Sequence, residues 1–204
     1  MVRSPLAFAA LVLAGLLLAG CGCPPLIENY ATPRDTLATW QAHLCHDDPE
    51  GEYACLAASF QAAMGGFPNY YAARTALLEQ RPMAGWLLRH ADLRDYEAET
   101  SFSADGRGAA VRLEARGETV WLRFEREAWV TIGFADGTSM TRRQNHPIDE
   151  LLGSQAGRQF LFIDKPALSR EQLEAVRDVH MDSRWKIADL AGLAEDAGRS
   201  GAVP

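Results

Sequence analysis

YEAETSFSADGRGAAVRLEARGETVWLRFEREAWVTIGF, residues 96–134, is the stretch that decides the fold. Its apolar residues recur every second position. Tyr96, Ala98, Thr100 and Phe102 alternate with acids and Ser101, and Val111, Leu113 and Ala115 alternate with Arg112, Glu114 and Arg116. Val120, Leu122 and Phe124 alternate with Trp121, Arg123 and Glu125. The charges at Glu125, Arg126 and Glu127 predict a bend or bulge, after which Val130, Ile132 and Phe134 resume the pattern. Asp105-Gly106, Gly117 and Asp136-Gly137 are turn signals, and residues 138–144 read as a polar strand. A period of two broken by glycine turns predicts an antiparallel meander with one wet face. Trp121 is out of phase with Val120 and Leu122, so it belongs to the face opposite the core. Either residues 145–183 cover that face or Trp121 is exposed; an exposed tryptophan marks a contact surface, and Trp121 is the candidate contact residue.

Upstream the period is helical. Thr32-Pro33-Arg34-Asp35 is a helix start, with a Thr cap, Pro in the first turn and an acid three residues after the cap. Leu37, Trp40 and Leu44 follow at helical spacing. Asp48-Pro49 repeats the signal, and Tyr53, Leu56, Phe60 and Met64 predict one second helix that Gly65-Gly66 stops. A third helix is predicted over 69–80, with Ala73, Leu77 and Leu78 inward. A short fourth over 83–90 carries Trp86 and Leu87. Past the meander, residues 145–157 are irregular and QFLFID (159–164) reads as a strand. Ser169-Arg170-Glu171-Gln172 is a capping box, and RWKIADL (184–190) reads as a final strand. Helices followed by a run of strands define the α+β class. The expectation is N-terminal helices packed on a curved antiparallel sheet, cone-like, with a short late helix and a final strand.

This order resembles the nuclear-transport-factor-two-like, cystatin-like fold. The likeness covers residues 32–144 and 184–190 and is carried by Thr32-Pro33 and Trp185-Lys186-Ile187. Residues 145–183 depart from it, being longer than the simple hairpin of that family. The resemblance implies a sheet that wraps the helices into a cone. That fold hosts binding proteins and enzymes alike, so it does not choose between them.

The N-terminus carries a second resemblance. Arg3 is the only charged side chain in the first 26 residues, and residues 6–20 are apolar. Fifteen residues fall short of the ~20 that span a bilayer, and the basic start and small residues before a cut site describe an export signal. Leu18-Ala19-Gly20-Cys21 resembles the lipobox of bacterial lipoproteins. That resemblance implies a diacylglyceryl thioether on Cys21, removal of residues 1–20 and acylation of the new amine. The lipid bilayer, reached through acylated Cys21, is the partner it implies. Gly22, in place of an Asp, favours the outer membrane. Residues 21–31 then read as a tether, 32–192 as one α+β domain and 193–204 as a disordered tail.

Removing residues 1–20 takes away one Arg and no acid, moving the formal charge from −7 to −8. That balance excludes a nucleic-acid partner, which needs a basic face. An exported chain sits where disulfides persist. Cys45 and Cys55 flank the short stretch HDDPEGEYA and are the natural pair. Their bridge is worth roughly 2–3 kcal/mol by chain entropy and leaves Cys23 free or paired between chains.

Candidate chemistry is sparse. HLCHDDPEGE (43–52) clusters His43, His46 and four acids, but Asp48 already has work as a helix cap, and a solvated acidic turn accounts for the rest. His90 with Asp92 and Asp95, and His146 with Asp149 and Glu150, are the candidate acid–base groups. Neither has a spacing that only catalysis explains. GRGAAV (106–111) precedes a strand where a dinucleotide fingerprint precedes a helix. No motif calls for a cofactor or metal. The expectation is an envelope lipoprotein that binds a protein or a small apolar ligand, and the alternative is a small acid–base enzyme with its site in the cone.

Overall fold

The structure, a computed structural model, describes residues 23–144 and 168–193. Five α-helices come first: α1 Pro33–Cys45, α2 Pro49–Ala54, α3 Ala58–Met64, α4 Phe67–Gln80 and α5 Pro82–His90. A 3-10 segment, Leu93–Glu99, leads to strands β1 Ser101–Phe102, β2 Gly108–Ala115, β3 Glu118–Phe134 and β4 Ser139–Gln144. Helix α6 (Arg170–Glu174) and strand β5 (Val176–Leu190) complete the chain. The class is α+β: N-terminal helices on a curved, open antiparallel sheet of five strands.

Local chemistry sets the helix starts. Thr32 Oγ1 accepts from Asp35 N at 3.1 Å, and Asp48 Oδ1 accepts from Gly51 N at 3.0 Å, each just before a first-turn proline. Gly65, at φ 71°, ends α3 in the left-handed region that an L side chain resists. The β2–β3 hairpin turns on Arg116-Gly117, both at positive φ, the two-residue turn whose twist matches its strands.

Strand β3 organises the sheet. Its first half pairs with β2 (Ala115↔Glu118 to Gly108↔Glu125) and its second half with β4 (Ala128↔Gln144 to Gly133↔Ser139). Its other edge pairs with β5 from Leu122↔Leu190 to Phe134↔Val176. No register slip falls at Glu125–Glu127, where a bend or bulge is expected; β3 is one strand of 17 residues that changes partner there from β2 to β4. The irregularities lie in β5 instead. Register slips between Arg123/Phe124 and between Gly133/Phe134 leave Ala188 and Arg177 as extra residues there. Such bulges increase twist and bend a sheet.

The expected alternation appears in β3, where Val120, Leu122 and Phe124 are buried and Trp121 is 47% exposed. The main core joins these residues to Trp40, Phe60, Tyr70 and leucines of the helices, and those side chains fill the space between the helices and the sheet. A second, smaller core gathers Val130, Ile132 and Phe134 of β3 with Met140, Val179 and Met181.

Three expectations change. The single helix over 49–64 is two helices, because residues 55–57 leave the helix to lie beside β5. Ile187 N donates to Cys55 O (3.0 Å), and Ala57 N donates to Ile187 O (2.8 Å). Together with Trp185 N→Tyr30 O (2.9 Å) and Thr36 Oγ1→Trp185 O (2.8 Å), these bonds cover the free edge of β5 at Trp185 and Ile187, a surface that would otherwise invite another chain. Residues 96–99 are 3-10, not strand, so the alternation there did not survive. Trp86 is 45% exposed, and Ala84, Leu87 and Leu88 face the core from α5 in its place. The predicted strand 159–164 lies outside the described residues.

Candidate functional site

The N-terminal segment is built onto the domain. Tyr30 is buried and bonded to Trp185. Thr39 Oγ1 accepts from Asn29 N at 3.0 Å and lies 3.0 Å from Asn29 O. His46 Nε2 meets Pro24 O at 2.9 Å, and Cys23 is disulfide-bonded to Cys45. Residues 23–30 therefore run back along α1 from its C-terminal end, whereas the sequence reads as a free tether. Next to the disulfide, Leu26 is 48% and Ile27 68% exposed.

The expected Cys45–Cys55 disulfide is corrected by this arrangement. A continuous second helix would place Cys55 near the end of α1. Pairing of residues 55–57 with β5 instead turns Cys55 into the core, where it is a free thiol with no exposed surface. Its Sγ lies 3.3 Å from Gly51 O and 3.9 Å from Tyr30 Oη. Burial pushes its pKa up to about 12, the mark of an inert structural thiol. Cys23 is thus neither free nor available to a second chain.

On the outer face of the sheet, Trp121 stands opposite Arg112 of β2. It lies in a shallow cleft of about 380 Å³ with Ala110, Thr119, Arg123, Asp189 and the small residues Ala191 and Gly192. The left-handed turn at Ala191 and Gly192 brings the chain after β5 back, and Ala191 N donates to Trp121 O at 2.9 Å. The backbone of Trp121 is bonded to the turn after β5 while half its ring faces solvent.

The titratable clusters are mostly committed to one another. Glu52, fully buried, accepts from Arg74 Nε (3.1 Å), Arg74 Nη2 (2.6 Å) and Tyr70 Oη (3.0 Å), and Trp40 Nε1 lies 3.2 Å from Tyr70 Oη. Burial pushes the Glu52 carboxyl up, and the bonds from Arg74 and Tyr70 pull against it. Lys186, 3% exposed, donates to Ala54 O at 2.8 Å with its Nζ 3.4 Å from the centre of the Tyr30 ring. Desolvation lowers its pKa, and the Glu127 carboxylate opposes that shift. Glu127 is itself buried and accepts from Ala58 N at 2.9 Å. Sequence reasoning missed both groups, whose charges read as surface. The only available hint was an even-period strand carrying a lysine between Trp185 and Ile187.

The predicted acid–base and metal groups are placed as follows. His43 is buried and its Nδ1 lies 2.8 Å from Asp48 Oδ2. Bonds from Gly51 N–H and then from His43 hold Asp48 below the usual carboxylate range. His90 is exposed, its Nδ1 2.8 Å from Trp86 O and its ring stacked on Trp86. Asp92 shares a shallow cleft with His90 but pairs with Arg94 and Arg34, and its hydrogen bonds to Arg94 bring its pKa down to about 2. Among the described residues no group of three His, Cys, Asp or Glu could hold a metal ion, and no helix is long and apolar enough to cross a membrane. Cys21 and His146, with Asp149 and Glu150, lie outside the described residues. Compared with models of protein families, with curated proteins and with solved structures, the chain matches none.

Proposed function

We propose that this chain is a bacterial envelope lipoprotein, anchored through acylated Cys21, whose folded domain acts by binding a protein partner at the outer face of its sheet. Lipidation rests on the resemblance of Leu18-Ala19-Gly20-Cys21 to a lipobox. A single acyl chain gives only marginal binding, so stable anchoring takes at least two. A diacylglyceryl thioether supplies them.

The observation that carries the binding reading is Trp121. A large aromatic is half exposed on a rigid strand, in a cleft floored by alanine and glycine, where its ring contributes little to the core. Tryptophan is the side chain most enriched among residues that dominate interfaces. Mixed charge around it, with Arg112 paired to Glu114, suits a protein surface better than a purely apolar ligand. The interior that an acid–base enzyme would use is filled by Trp40, Tyr70, Phe60 and Phe124.

A photo-crosslinking residue placed at Trp121 should capture a discrete partner in intact cells, and one placed at Arg89, on the exposed side of α5, should not. Trp121→Ala should shift stability by less than ~0.5 kcal/mol while weakening the complex by ~2 kcal/mol or more. Equal crosslinking from both positions, or a collapse of stability in Trp121→Ala, would end this reading.

A further inference from the structure

We propose that the pole formed by residues 24–27 and the C-terminal end of α1 rests directly in the headgroup layer of the membrane, and that the Cys23–Cys45 disulfide holds it there. The inference rests on the lipid anchor at Cys21 proposed above. It adds an orientation and a contact surface that the anchor alone does not specify.

Two residue steps separate Cys21 from Cys23, and an extended chain covers at most ~3.6 Å per step, hence ~7 Å. The polar layer of each leaflet is itself about 5–7 Å thick. A lipid seated at the hydrocarbon boundary therefore leaves Cys23 no higher than the outer rim of the headgroups. Because Cys23 is covalently joined to Cys45, with Cα atoms 5.6 Å apart, the end of α1 is held within that distance of the same height. Without the disulfide, only the exposed Pro24–His46 hydrogen bond holds this end, and the next buried or part-buried attachments are Asn29, on Thr39, and Tyr30, on Trp185. Eight steps from Cys21 to Asn29 would let the domain drift up to ~29 Å away.

The surface at this height is suited to the interface. Pro24, Pro25, Leu26 and Ile27 are four consecutive exposed apolar residues, and Leu26 and Ile27 are two of the large exposed hydrophobics of the domain. Amphipathic elements seat such side chains about 5–10 Å into the headgroup and acyl boundary. Among the described residues the exposed charges nearby are acidic: Asp47, with its side chain 88% exposed, together with Glu28 and Glu50, both exposed. Contact is therefore apolar and set by tether length, with no basic patch among these residues to draw in anionic lipid.

The test uses the native full-length lipoprotein, its acyl mass verified, in phosphatidylcholine vesicles, followed by amide hydrogen exchange. The amides of Leu26, Ile27 and Glu28 should exchange about tenfold more slowly than in a soluble Cys21→Ser form. Amides of β3 should exchange alike in both. Lipidated Leu26→Ser/Ile27→Ser should lose the protection with the fold intact. Lipidated Cys23→Ser/Cys45→Ser should lose it while its β3 amides stay protected. Vesicles with added anionic lipid should not strengthen it. Equal exchange at residues 26–28 in vesicle-bound and soluble forms, with the acyl groups present, would overturn the proposed contact and leave the anchor standing. Absence of acyl mass would remove both. Protection that grows with protein concentration in the soluble form would assign the patch to self-association and overturn the proposal.

Discussion

Removing Arg74 isolates a charge inside the helical layer. In the intact domain the Glu52 carboxylate is fully buried and accepts three hydrogen bonds, two from Arg74 and one from Tyr70. Arg74→Met leaves Tyr70 alone to satisfy it. Breaking one side of a buried ion pair costs ~3–5 kcal/mol. For a domain of this size each kcal/mol is worth about 2–4 °C, so thermal unfolding should register a fall of roughly 6–20 °C. The loss should depend on pH. Burial already raises Glu52, and without Arg74 its folded pKa rises further above the unfolded value of ~4.3. A carboxyl raised in this way contributes its stability below the unfolded pKa and loses it as pH rises through the folded pKa. The variant should therefore recover stability relative to the parent between pH 8 and pH 5. Glu52→Gln combined with Arg74→Met, which buries no charge, should regain most of the loss. A penalty below ~1 kcal/mol, or one that is equal at pH 5 and pH 8, would refute the claim that Glu52 is held charged by Arg74.

Other perturbations follow from the same contacts. Gly51→Ala places a Cβ 2.0 Å from His43 Nδ1 and 2.5 Å from Asp48 Oδ2, so it should cost ~1–3 kcal/mol by overpacking, and chemical denaturation checks it. Cys23→Ser should lower stability by about 3 kcal/mol, the chain-entropy value for a loop of this length. Non-reducing peptide maps should join the Cys23 and Cys45 peptides and show Cys55 alone. With its pKa at about 12 and its side chain buried, Cys55 should be alkylated only after unfolding.

Strand periodicity was legible wherever the strands are wet on one side. Val120, Leu122 and Phe124 against Trp121 and Arg123 located both the core face and the exposed tryptophan. The starts of α1 and α2 were legible because their caps, Thr32 and Asp48, act within four residues. What remained hidden depends on partners far along the chain. Cys55, Leu56 and Ala57 have the spacing of a helix, and only Ile187, some 130 residues later, draws them out of it. The disulfide error follows from that break. Cys23 sits in a stretch with no periodicity, so nothing local shows that residues 23–30 dock on α1. Lys186 and Glu127 read as surface charges because burial of a charge depends on the carbonyls, amides and rings that surround it, here Ala54, Ala58 and Tyr30. Trp86 falls on a helical phase that could face in, but Leu87 and Leu88 take the core and leave it stacked on His90 at the surface.

Metabolic labelling tests the proposed lipid at Cys21 most directly. Cells expressing the full chain should incorporate labelled fatty acid into it, and the N-terminal peptide of the purified protein should begin at Cys21 and carry the mass of a diacylglyceryl group. The label should vanish in Cys21→Ser. A chain that begins elsewhere, or one that keeps its label in Cys21→Ser, would contradict the account.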